Sequence, residues 1–431
     1  MLVVGFGVTG QAVARHAEPG TVIAVDDRPN DMVRQRAAEL GVELIESPND
    51  DALRSLIARS AMVLPSPGVP VSHPVYRLAE EAGTEVISEV ELAARRATMP
   101  IVAVTGTNGK TTVTTLIASM LVESGRRALA SGNIGLPLID GVAADVDVVV
   151  AEVSSFQLQF TSTFHPVVAT WLNFAEDHLD WHPSMEHYAA SKARIWANQS
   201  GGDVAVVNAD DEVVMAAAAT APGAVVTFGS TGDYQCRDRV LVAPGGVEIL
   251  PVGDLPRALP IDIANALAAT ATAVAAGADL DACRRALTEF PGLPHRVTLV
   301  HEAGGVRYFD DSKATTPASV LAALDGFPSV VLIAGGQNKG MDLSVLAARA
   351  DRIRAVIAIG AAADEVEAAF QGKRPVVRAG SMDEAVQQAA AQARSGDVVL
   401  LSPGCASFDW YRSYAERGDD FARAVRELAA S

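Results

Sequence analysis

The chain has 431 residues, 49% of them hydrophobic and 20% charged, which is typical of a globular protein with about three domains of roughly 150 residues each. Its formal net charge of −18 argues against non-specific nucleic-acid binding, and no stretch approaches the roughly 18 uninterrupted apolar residues that a membrane helix requires. Its three cysteines, Cys236, Cys283 and Cys405, are scattered and lack metal-ligand spacing, so we expect a cytoplasmic protein without a disulfide framework.

The first predicted segment, residues 1–98, opens with a strand and a glycine fingerprint. The apolar run Leu2–Val4 leads into Gly5–Gly10, which has the pattern G-x-G-x-x-G. Asp26 follows at the spacing of about 20 residues where dinucleotide folds place the acid that binds a ribose. The pattern therefore predicts a Rossmann-like domain with a nucleotide site. A later strand, Met62–Leu64, ends in a proline-rich turn that is either a ligand edge or a purely structural turn.

The middle segment, residues 99–292, contains the most informative run of the chain. Ile101–Val104 predicts a buried strand and Thr114–Leu121 predicts a helix; Thr105–Thr112, with the sequence TGTNGKTT, lies between them. Backbone N–H groups and a helix N-terminus cradle phosphate in such a loop, but the terminus contributes only about 0.3–1 kcal/mol per charge. A lysine and a metal must therefore help to neutralise a triphosphate. We expect Lys110 to reach the phosphates and the Thr111 hydroxyl to ligate Mg²⁺.

The run departs from the standard P-loop. Val104 stands where that pattern has its first glycine, so Gly106 and Gly109 give the shorter form GxxGK[ST]. A tight strand-to-helix turn without a ligand is the alternative.

Lysine is rare in this chain and its placement is informative. The 34 basic residues include only five lysines, so arginine supplies the ordinary positive charges. Lysine instead offers a compact ammonium that can become a neutral amine on burial. The lysines other than Lys110 are Lys192, Lys313, Lys339 and Lys373. Lys313 and Lys339 follow apolar strand-like runs, whereas Lys373 is predicted to lie in an ordinary surface loop.

Two further strands of the middle segment end in polar side chains. Val146–Ala151 ends at Glu152, which is placed either to hold Mg²⁺ or to cap the next helix. Val167–Leu172 runs into a segment of acids and histidines, residues 173–180, that includes His178. Ligand chemistry alone suggests zinc there, because Mg²⁺ prefers oxygen; a solvated polar loop is the alternative.

The rest of the middle segment predicts helices and one hairpin. Tyr188–Trp196 is a good helix, and its pattern alone predicts a solvated Lys192. Val240–Leu255 predicts a hairpin, and the alanine-rich helix Ala264–Ala276 contains Asn265, whose amide could face a base or a ribose.

The third segment, residues 293–431, again alternates strand and helix. Its predicted strands are Ser329–Ala334, Arg354–Ile359, Pro375–Arg378 and Asp397–Leu401. This order predicts a doubly wound sheet, which binds ligands at the carboxyl ends of its strands. The loop Ser402–Tyr411 follows the last strand. Its Cys405 is a poor candidate nucleophile because no histidine lies nearby in the sequence.

These motifs resemble those of the Mur ligases of peptidoglycan synthesis over essentially the whole chain. The matching landmarks are Thr105–Thr112, Gly132–Pro137, Glu152–Gln157, Glu176–Asp180, Leu293–Arg296 and Asp311–Thr315. The opening Gly5–Gly10 and the closing Ser402–Tyr414, followed by Glu416-Arg417-Gly418, are similar to the members that add D-glutamate.

The resemblance implies an α/β fold of three domains. It implies a Rossmann-like domain that binds the UDP substrate (residues 1–98), a central P-loop ATPase-like domain that binds ATP (99–292) and a Rossmann-like domain that binds the amino acid (293–431). It also implies ATP-dependent coupling of D-glutamate to UDP-N-acetylmuramoyl-L-alanine through an acyl phosphate, with ATP and two Mg²⁺ sites. We expect a monomer without nucleic-acid or membrane partners.

The resemblance assigns roles position by position. The residues that would contact ATP are Gly106, Thr107, Asn108, Gly109, Lys110, Thr111, Thr112, Asn265, Arg296 and Asp311. The metal ligands would be Thr111 and Glu152 at one site, and His178 with Lys192 at the second, where Mg²⁺ replaces the suggested zinc and CO2 converts Lys192 to a carbamate. The catalytic residues would be Lys110, Lys192, His178 and Lys313.

The substrate contacts follow in the same way. The UDP-sugar peptide would contact Thr9, Asp26, Arg28 and Asn133. D-Glutamate would contact Thr315, Lys339, Ser407 and Tyr414, although Tyr414 stands where a phenylalanine is expected. Other interpretations are another Mur-type amide ligase, an NAD-dependent oxidoreductase built on Gly5–Gly10, and a regulatory nucleotide-binding protein.

Overall fold

A computed structural model describes residues 1–179 and 181–430. Asp180, part of the predicted cluster of acids and histidines, lies outside the described residues. These residues form two compact units. Unit 1 comprises Met1–Phe174, Trp181–Asp254 and Asn265–Glu289, and unit 2 comprises residues 175–179, 255–264 and 290–430. The domain boundaries near residues 98 and 292 stay predictions.

Unit 1 begins with a five-stranded parallel sheet, here called the first sheet. Its strands are β1 (Leu2–Val4), β2 (Ile23–Asp26), β3 (Glu43–Glu46), β4 (Met62–Pro65) and β5 (Glu85–Val86), in the order β3-β2-β1-β4-β5. The helices are α1 (Val8–Arg15), α2 (Asp31–Glu39), α3 (Asp50–Ala58), α4 (Pro74–Ala82) and α5 (Glu89–Ala94). Side chains that accept from the first turn, such as Asn30 and Asn49, mark where these helices begin.

The central sheet of unit 1 has six parallel strands. They are β6 (Ile101–Thr105), β7 (Ala128–Gly132), β8 (Val148–Glu152), β9 (Val168–Trp171), β10 (Val204–Asn208) and β11 (Ala224–Phe228), in the order β11-β10-β9-β6-β8-β7. The helices of this part are α6 (Lys110–Glu123), α7 (Leu138–Gly141), α8 (Ser155–Leu158), α9 (Met185–Ala193), α10 (Glu212–Ala218), α11 (Pro260–Ala275) and α12 (Leu280–Glu289). Short 3-10 turns cover Arg194–Trp196, Pro244–Gly246 and Val252–Asp254.

The predicted hairpin of the middle segment is confirmed. It consists of β13 (Val240–Ala243) and β14 (Val247–Pro251), which pair antiparallel, and β12 (Gln235–Arg237) adds a third strand that the sequence did not predict.

Unit 2 contains a six-stranded sheet, here called the third sheet. Its strands are β15 (Thr298–Ala303), β16 (Val306–Asp310), β17 (Val330–Gly335), β18 (Ile353–Ile359), β19 (Val376–Ala379) and β20 (Val398–Leu401), in the order β15-β16-β20-β17-β18-β19. Only β15 runs antiparallel to its neighbour. The helices are α13 (Pro317–Leu324), α14 (Ala363–Phe370), α15 (Met382–Gln392) and α16 (Tyr414–Ala430), with a 3-10 segment at Leu343–Arg352.

Alternating residues of the third sheet pack on its two faces. Val330 and Leu332 belong to one buried cluster, whereas Val331 and Ile333 belong to another. Because successive side chains of a strand point to opposite faces, both faces must be covered, as in a doubly wound fold. In the described part of the chain, no helix is long and apolar enough to span a membrane.

Candidate active site

The phosphate loop lies where β6 ends and α6 begins, at the carboxyl edge of the central sheet. Gly106 and Gly109 have φ angles of 154° and 84°, which side chains rarely tolerate. A Cβ atom on Gly109 would lie 2.6 Å from Oδ1 of Asn265. The structure therefore brings the predicted Asn265 directly against the loop.

A second asparagine holds the loop in shape. Asn173, just after β9, accepts through Oδ1 from the backbone N–H groups of Thr107 (3.1 Å) and Asn108 (2.8 Å). Its side-chain amide donates to the carbonyl of Asn108 at 3.1 Å. Because β9 is a neighbour of β6, the single side-chain amide of Asn173 reaches both N–H groups and a carbonyl of the loop. Thr112 follows Thr111 within the first turn of α6.

Two lysines converge on one carbonyl of the loop. Lys110 Nζ donates to the carbonyl oxygens of Gly106 at 2.8 Å and Thr107 at 2.9 Å. Lys192 Nζ donates to the same Gly106 oxygen at 2.8 Å and lies 4.7 Å from the ring centroid of Tyr188. Lys192 is only 1% exposed, so the solvated lysine predicted from the helix pattern is wrong. The face of α9 that carries Lys192 packs inward beneath the loop.

Glu152 ends β8 as a buried carboxylate, 2% exposed. Its Oε1 accepts from the amide of Asn133 at 2.9 Å, and its Oε2 has no hydrogen-bond partner among the described residues. It does not cap the next helix, because Ser154 and Gln157 form the capping box of α8. An unpartnered buried carboxylate oxygen is costly and is satisfied by a cation.

These donors fit Mg²⁺ better than zinc. Glu152 supplies carboxylate oxygen and Thr111, in the first turn of α6, supplies a hydroxyl, which are hard ligands of the kind that Mg²⁺ prefers. Within residues 1–179 and 181–430 there is no group of three or more histidine, cysteine or acidic side chains that could hold a metal ion. Zinc was suggested for the cluster around His178, and Asp180 of that cluster lies outside the described residues, so the choice of metal there stays a prediction.

His178 has an unusual backbone. Its φ is +58°, a conformation that costs energy for a residue other than glycine and is common at functional sites. Its backbone N–H donates to Oδ1 of Asp177 at 2.9 Å, and its Nε2 lies 3.3 Å from Oδ2 of the same carboxylate. The Asp177 side chain thus fixes the orientation of the imidazole.

The glycine fingerprint of the first sheet has the predicted form. A Cβ on Gly10 would lie 2.6 Å from the carbonyl oxygen of Gly5, so the turn requires glycine there. Asp26, at the end of β2, accepts from the N–H groups of Phe6 (2.9 Å) and Arg28 (3.0 Å). Thr9 lies half-buried in the first turn of α1, and Arg28 is exposed.

A small pocket, with room for about one water-sized group, lies within unit 1. Its lining combines the proline-rich turn after β4 with aromatic residues of the central part: Pro65, Ser66, Pro67, Tyr76, Ser88, Glu89, Phe156, Gln157, Phe160 and Trp181. Trp181 packs edge-on against Phe156, with ring centroids 4.8 Å apart. Its indole N–H is buried and has no hydrogen-bond partner among the residues described. Burial raises the pKa of Glu89 to about 7, while N–H groups at the start of α7 oppose that rise.

In unit 2, β16, β20 and β17 are adjacent and parallel, so the loops after them share one edge of the third sheet. Asp311, after β16, accepts from the Ser402 hydroxyl at 2.7 Å. Burial raises the pKa of Asp311 to about 7; the Ser402 hydrogen bond and the positive charge of Arg296 oppose that shift. Lys313 Nζ lies 3.8 Å from the ring centroid of Tyr414, so the tyrosine presents its ring to the ammonium.

The other predicted amino-acid contacts lie on the same three loops. Thr315 is half-buried beside the α13 cap, Lys339 is exposed after β17, and Ser407 is buried after β20. Gln337 and Ala406 exchange backbone hydrogen bonds of 2.9 and 3.0 Å, which join the last two loops. Burial raises the pKa of the Cys405 thiol to about 12, which agrees with its rejection as a nucleophile.

The backbone around Arg296 is strained. His295 and Val297 have φ angles of +59° and +50°. Arg257 Nη1 donates to the carbonyl oxygens of Arg296 (2.5 Å) and Val297 (2.6 Å) and is held by Asp262. Positive φ is a genuine outlier for a β-branched residue, so this clasp compensates for local strain beside a predicted nucleotide contact.

Comparison with known proteins accounts for the whole chain. The family model described as Mur ligase middle domain matches residues 104–273, the model for the Mur ligase glutamate ligase domain matches 295–405, and the MurD-like N-terminal domain matches 1–88. The UDP-N-acetylmuramoylalanine–D-glutamate ligase of Desulfosudis oleivorans is 42% identical over 448 residues, covering 99% of this chain and 96% of that protein. That of Frankia casuarinae is 45% identical over 442 residues, covering 99% and 93%.

The chain belongs to the Mur ligase family. Solved structures share its fold at low identity. The UDP-N-acetylmuramate–alanine ligase of Thermotoga maritima is 18% identical, with a TM-score of 0.63, covering 100% of this chain and 99% of that structure. The folylpolyglutamate synthase of Mycobacterium tuberculosis is also 18% identical, with a TM-score of 0.58. The match covers 79% of this chain and 93% of that structure. The predicted α/β fold class is confirmed.

Three residues of this Mur ligase escaped the sequence analysis as site residues. Asn173 clasps the phosphate loop, Trp181 lines the pocket, and Arg417 lies buried beneath the loops of the third sheet. Asn173 could have been found from its place directly after the strand beside β6. No pattern in the sequence separates Trp181 from an ordinary aromatic residue. Arg417 stands within the landmark Glu416-Arg417-Gly418, but the landmark assigned it no role.

Proposed function

We propose that this Mur ligase joins D-glutamate to UDP-N-acetylmuramoyl-L-alanine in the cytoplasm, with cleavage of ATP to ADP and phosphate. Relatives bearing that activity in their names match 99% of the chain. The structural observation that carries the proposal is the phosphate loop beside the unpartnered oxygen of Glu152, at one edge of the central sheet. That pair provides what transfer of a phosphoryl group requires.

In the first step, an oxygen of the acceptor carboxylate attacks the terminal phosphorus of ATP, and ADP leaves. Lys110 and the first turn of α6 neutralise the charge on the phosphates. Thr111 and Glu152 would hold the first Mg²⁺, which supplies further charge neutralisation when bound.

In the second step, the amine of D-glutamate attacks the acyl carbon of the acyl phosphate. The tetrahedral intermediate expels phosphate, and the nitrogen gives up a proton. The loops that carry Lys313, Thr315, Lys339, Ser407 and Tyr414 share one edge of the third sheet, which supports their proposed role in binding the amino acid. Positioning and charge stabilisation account for the catalysis, because the chain needs no covalent intermediate of its own.

The acceptor is assigned to unit 1. The first sheet supplies Thr9, Asp26 and Arg28 for the uridine diphosphate part, and Asn133 lies beside Glu152. The aromatic pocket, with the Trp181 indole N–H, offers one polar donor among apolar rings to a small polar group of the acceptor.

A carbamate on Lys192 would supply an oxygen ligand to a second Mg²⁺. CO2 adds to the neutral amine, which forms an N–C bond and releases one proton, and the product is an anionic oxygen ligand. Burial of Lys192 supports this, since burial disfavours a charged amine. We expect Lys192→Ala to lose turnover and to recover partly with short carboxylic acids, while Lys192→Arg stays inactive. Wild-type turnover in Lys192→Ala would remove this residue from the site.

The overall proposal is tested by ADP release with each amino acid in turn. With UDP-N-acetylmuramoyl-L-alanine and ATP, we expect release only when D-glutamate is present. Use of L-lysine or diaminopimelate with a longer acceptor would make the chain a different Mur ligase. ADP release independent of any amino acid would indicate a regulatory nucleotide-binding protein.

A further inference from the structure

Arg417, on α16, is a buried cation with only uncharged partners. It is 1% exposed. Its guanidinium donates to the hydroxyl of Ser312 (2.9 Å), the carbonyl of Ser312 (2.8 Å) and the carbonyl of Cys405 (3.1 Å). No carboxylate in the described part of the chain lies within ion-pair distance of it. Arg417 therefore forms no direct ion pair in that part. Burial opposes its charged form, while the negative charges of Asp409 and Asp310 favour it. In a region of low dielectric such a charge acts strongly on a nearby anion.

The partners of Arg417 belong to the loops that carry the predicted site. Ser312 lies between Asp311 and Lys313, and Cys405 belongs to the loop that continues to Ser407. The Ser312 hydroxyl also donates to the carbonyl of Tyr414 at 2.7 Å, where α16 begins.

The loop after β17 approaches the same guanidinium. A Cβ on Gly336 would lie 3.2 Å from Nη1 of Arg417. One side chain thus contacts, or lies against, the loops that follow three adjacent parallel strands.

We propose that Arg417 is a positioning residue of the ligase. Its planar fork fixes the spacing between the Lys313 turn and the Ser407 loop, and its charge favours an anionic amino acid at that edge. The proposal rests on the proposed function and adds to it a residue that would select an acidic amino acid.

Substitutions of Arg417 can distinguish a positioning role from a role in packing alone. Methionine retains much of the volume without the charge, and lysine retains the charge without the fork that reaches three acceptors. A positioning role predicts an effect on the amino-acid step that exceeds the effect on ATP binding. A structural role predicts equal losses for every substrate together with lower stability.

The test compares steady-state kinetics and thermal stability of Arg417→Met, Arg417→Lys, Arg417→Ala and Ser312→Ala. For Arg417→Met we expect KM for D-glutamate to rise by ~10-fold or more, with KM for ATP within ~3-fold. Arg417→Lys should lie between Arg417→Met and wild type. Turnover of Arg417→Ala should recover partly when guanidinium is added. Arg412→Met, on an exposed arginine of the same region, is the control.

Three results would overturn the proposal: an unchanged KM for D-glutamate, equal rises in both KM values with a lowered Tm, or no recovery with guanidinium. If the Arg417 variants do not fold, Ser312→Ala tests the proposal instead, because it removes one acceptor of Arg417 and the hydrogen bond to Tyr414. An unchanged KM for D-glutamate in Ser312→Ala would then overturn the proposal. The wild type tests the function separately. If it uses another amino acid, that amino acid replaces D-glutamate in the comparison; if it uses none, both proposals are wrong.

Discussion

The Gly106 carbonyl oxygen accepts from two amino groups, those of Lys110 and Lys192. Two charged amines so close to one oxygen would repel each other, so the site favours a neutral Lys192 or an added anion. A phosphate group above the loop, or an anionic carbamate on Lys192, would each supply that charge. The geometry thus links the two roles that these lysines are proposed to have.

Lys110→Ala should abolish turnover, because the loop then lacks the point charge that neutralises the transferring phosphoryl group. The measurement is ADP release with saturating substrates. Lys373→Ala is the matched control, since among the described residues that lysine donates to a carbonyl of its own region, that of Ala369 at 3.4 Å. Activity retained in Lys110→Ala would show that the loop does not bind the nucleotide.

Lys192 also shows how far single residues can be predicted. Its rarity as a lysine marked it as unusual, but the pattern of α9 predicted a solvated side chain. The burial depends on packing of α9 beneath the phosphate loop, a contact between segments far apart in sequence. A local pattern cannot reveal which partner covers a helix face. The burial of Lys192 was therefore missed.

At the scale of elements, Gly109 couples the phosphate loop to α11. Gly109 and Gly125 flank α6 and have nearly equal φ angles, +84° and +83°. A Cβ would meet Oδ1 of Asn265 at 2.6 Å from Gly109 and nothing within 4 Å from Gly125. A side chain at either position would therefore meet the same backbone strain, but only a side chain at position 109 would also meet Asn265.

We expect Gly109→Ala and Gly125→Ala to lose similar backbone stability, about 1 kcal/mol. Only Gly109→Ala should raise KM for ATP, by ~10-fold or more, because the loop or Asn265 must move. Kinetics with ATP varied and thermal unfolding measure the two effects. Equal KM values in both variants would mean that the approach of Asn265 does not matter for nucleotide binding.

Most elements followed from local patterns, and the exceptions have physical reasons. The buried parallel strands, such as β6 and β17, were predicted because they read as continuous apolar runs. β15 was missed because it is a largely exposed edge strand with a register shift, so its polar residues hide the strand pattern. β12 has only three residues, too few for any periodicity.

At the scale of the molecule, unit 1 unites two sheets through one core. Val3 and Leu64 of the first sheet belong to the same buried cluster as Ala103 and Val149 of the central sheet. The sequence predicted each sheet but not this shared core, which depends on contacts between the segments. The predicted boundary at residue 98 lies between the glycine fingerprint and the phosphate loop, while the buried cluster contains residues from both sides of it.

Glu91 adds a polar link between the two sheets. This buried carboxylate of α5 accepts hydrogen bonds from backbone and hydroxyl groups of Ser162 and Thr163, the N–H of Phe164 and the guanidinium of Arg95. Burial alone would raise its pKa, but these donors, led by the Thr163 hydroxyl, lower the pKa from 4.5 to about 2. The folded state therefore prefers the ionised form.

The sign of the pH dependence follows from that shift. The stabilisation by Glu91 is fully present above about pH 4.5 and is lost as the pH falls toward 2. Glu89 acts oppositely, because its raised pKa of about 7 makes its charged form unfavourable above that pH. Unit 1 should thus gain stability as the pH falls from 7 to 4.5 and then lose stability in more acidic solution.

We expect Glu91→Gln to be less stable than wild type by roughly 3 kcal/mol at pH 5, and by about half of that at pH 3, where the unfolded chain has bound a proton at Glu91 while the folded carboxylate is still mostly ionised. Urea unfolding followed by tryptophan fluorescence at the two pH values measures the difference. Glu43→Gln, on an exposed strand end, should show no such change. A gap that stays constant between pH 5 and pH 3 would assign the loss to geometry alone, and the carboxylate charge would then have no part in joining the two sheets.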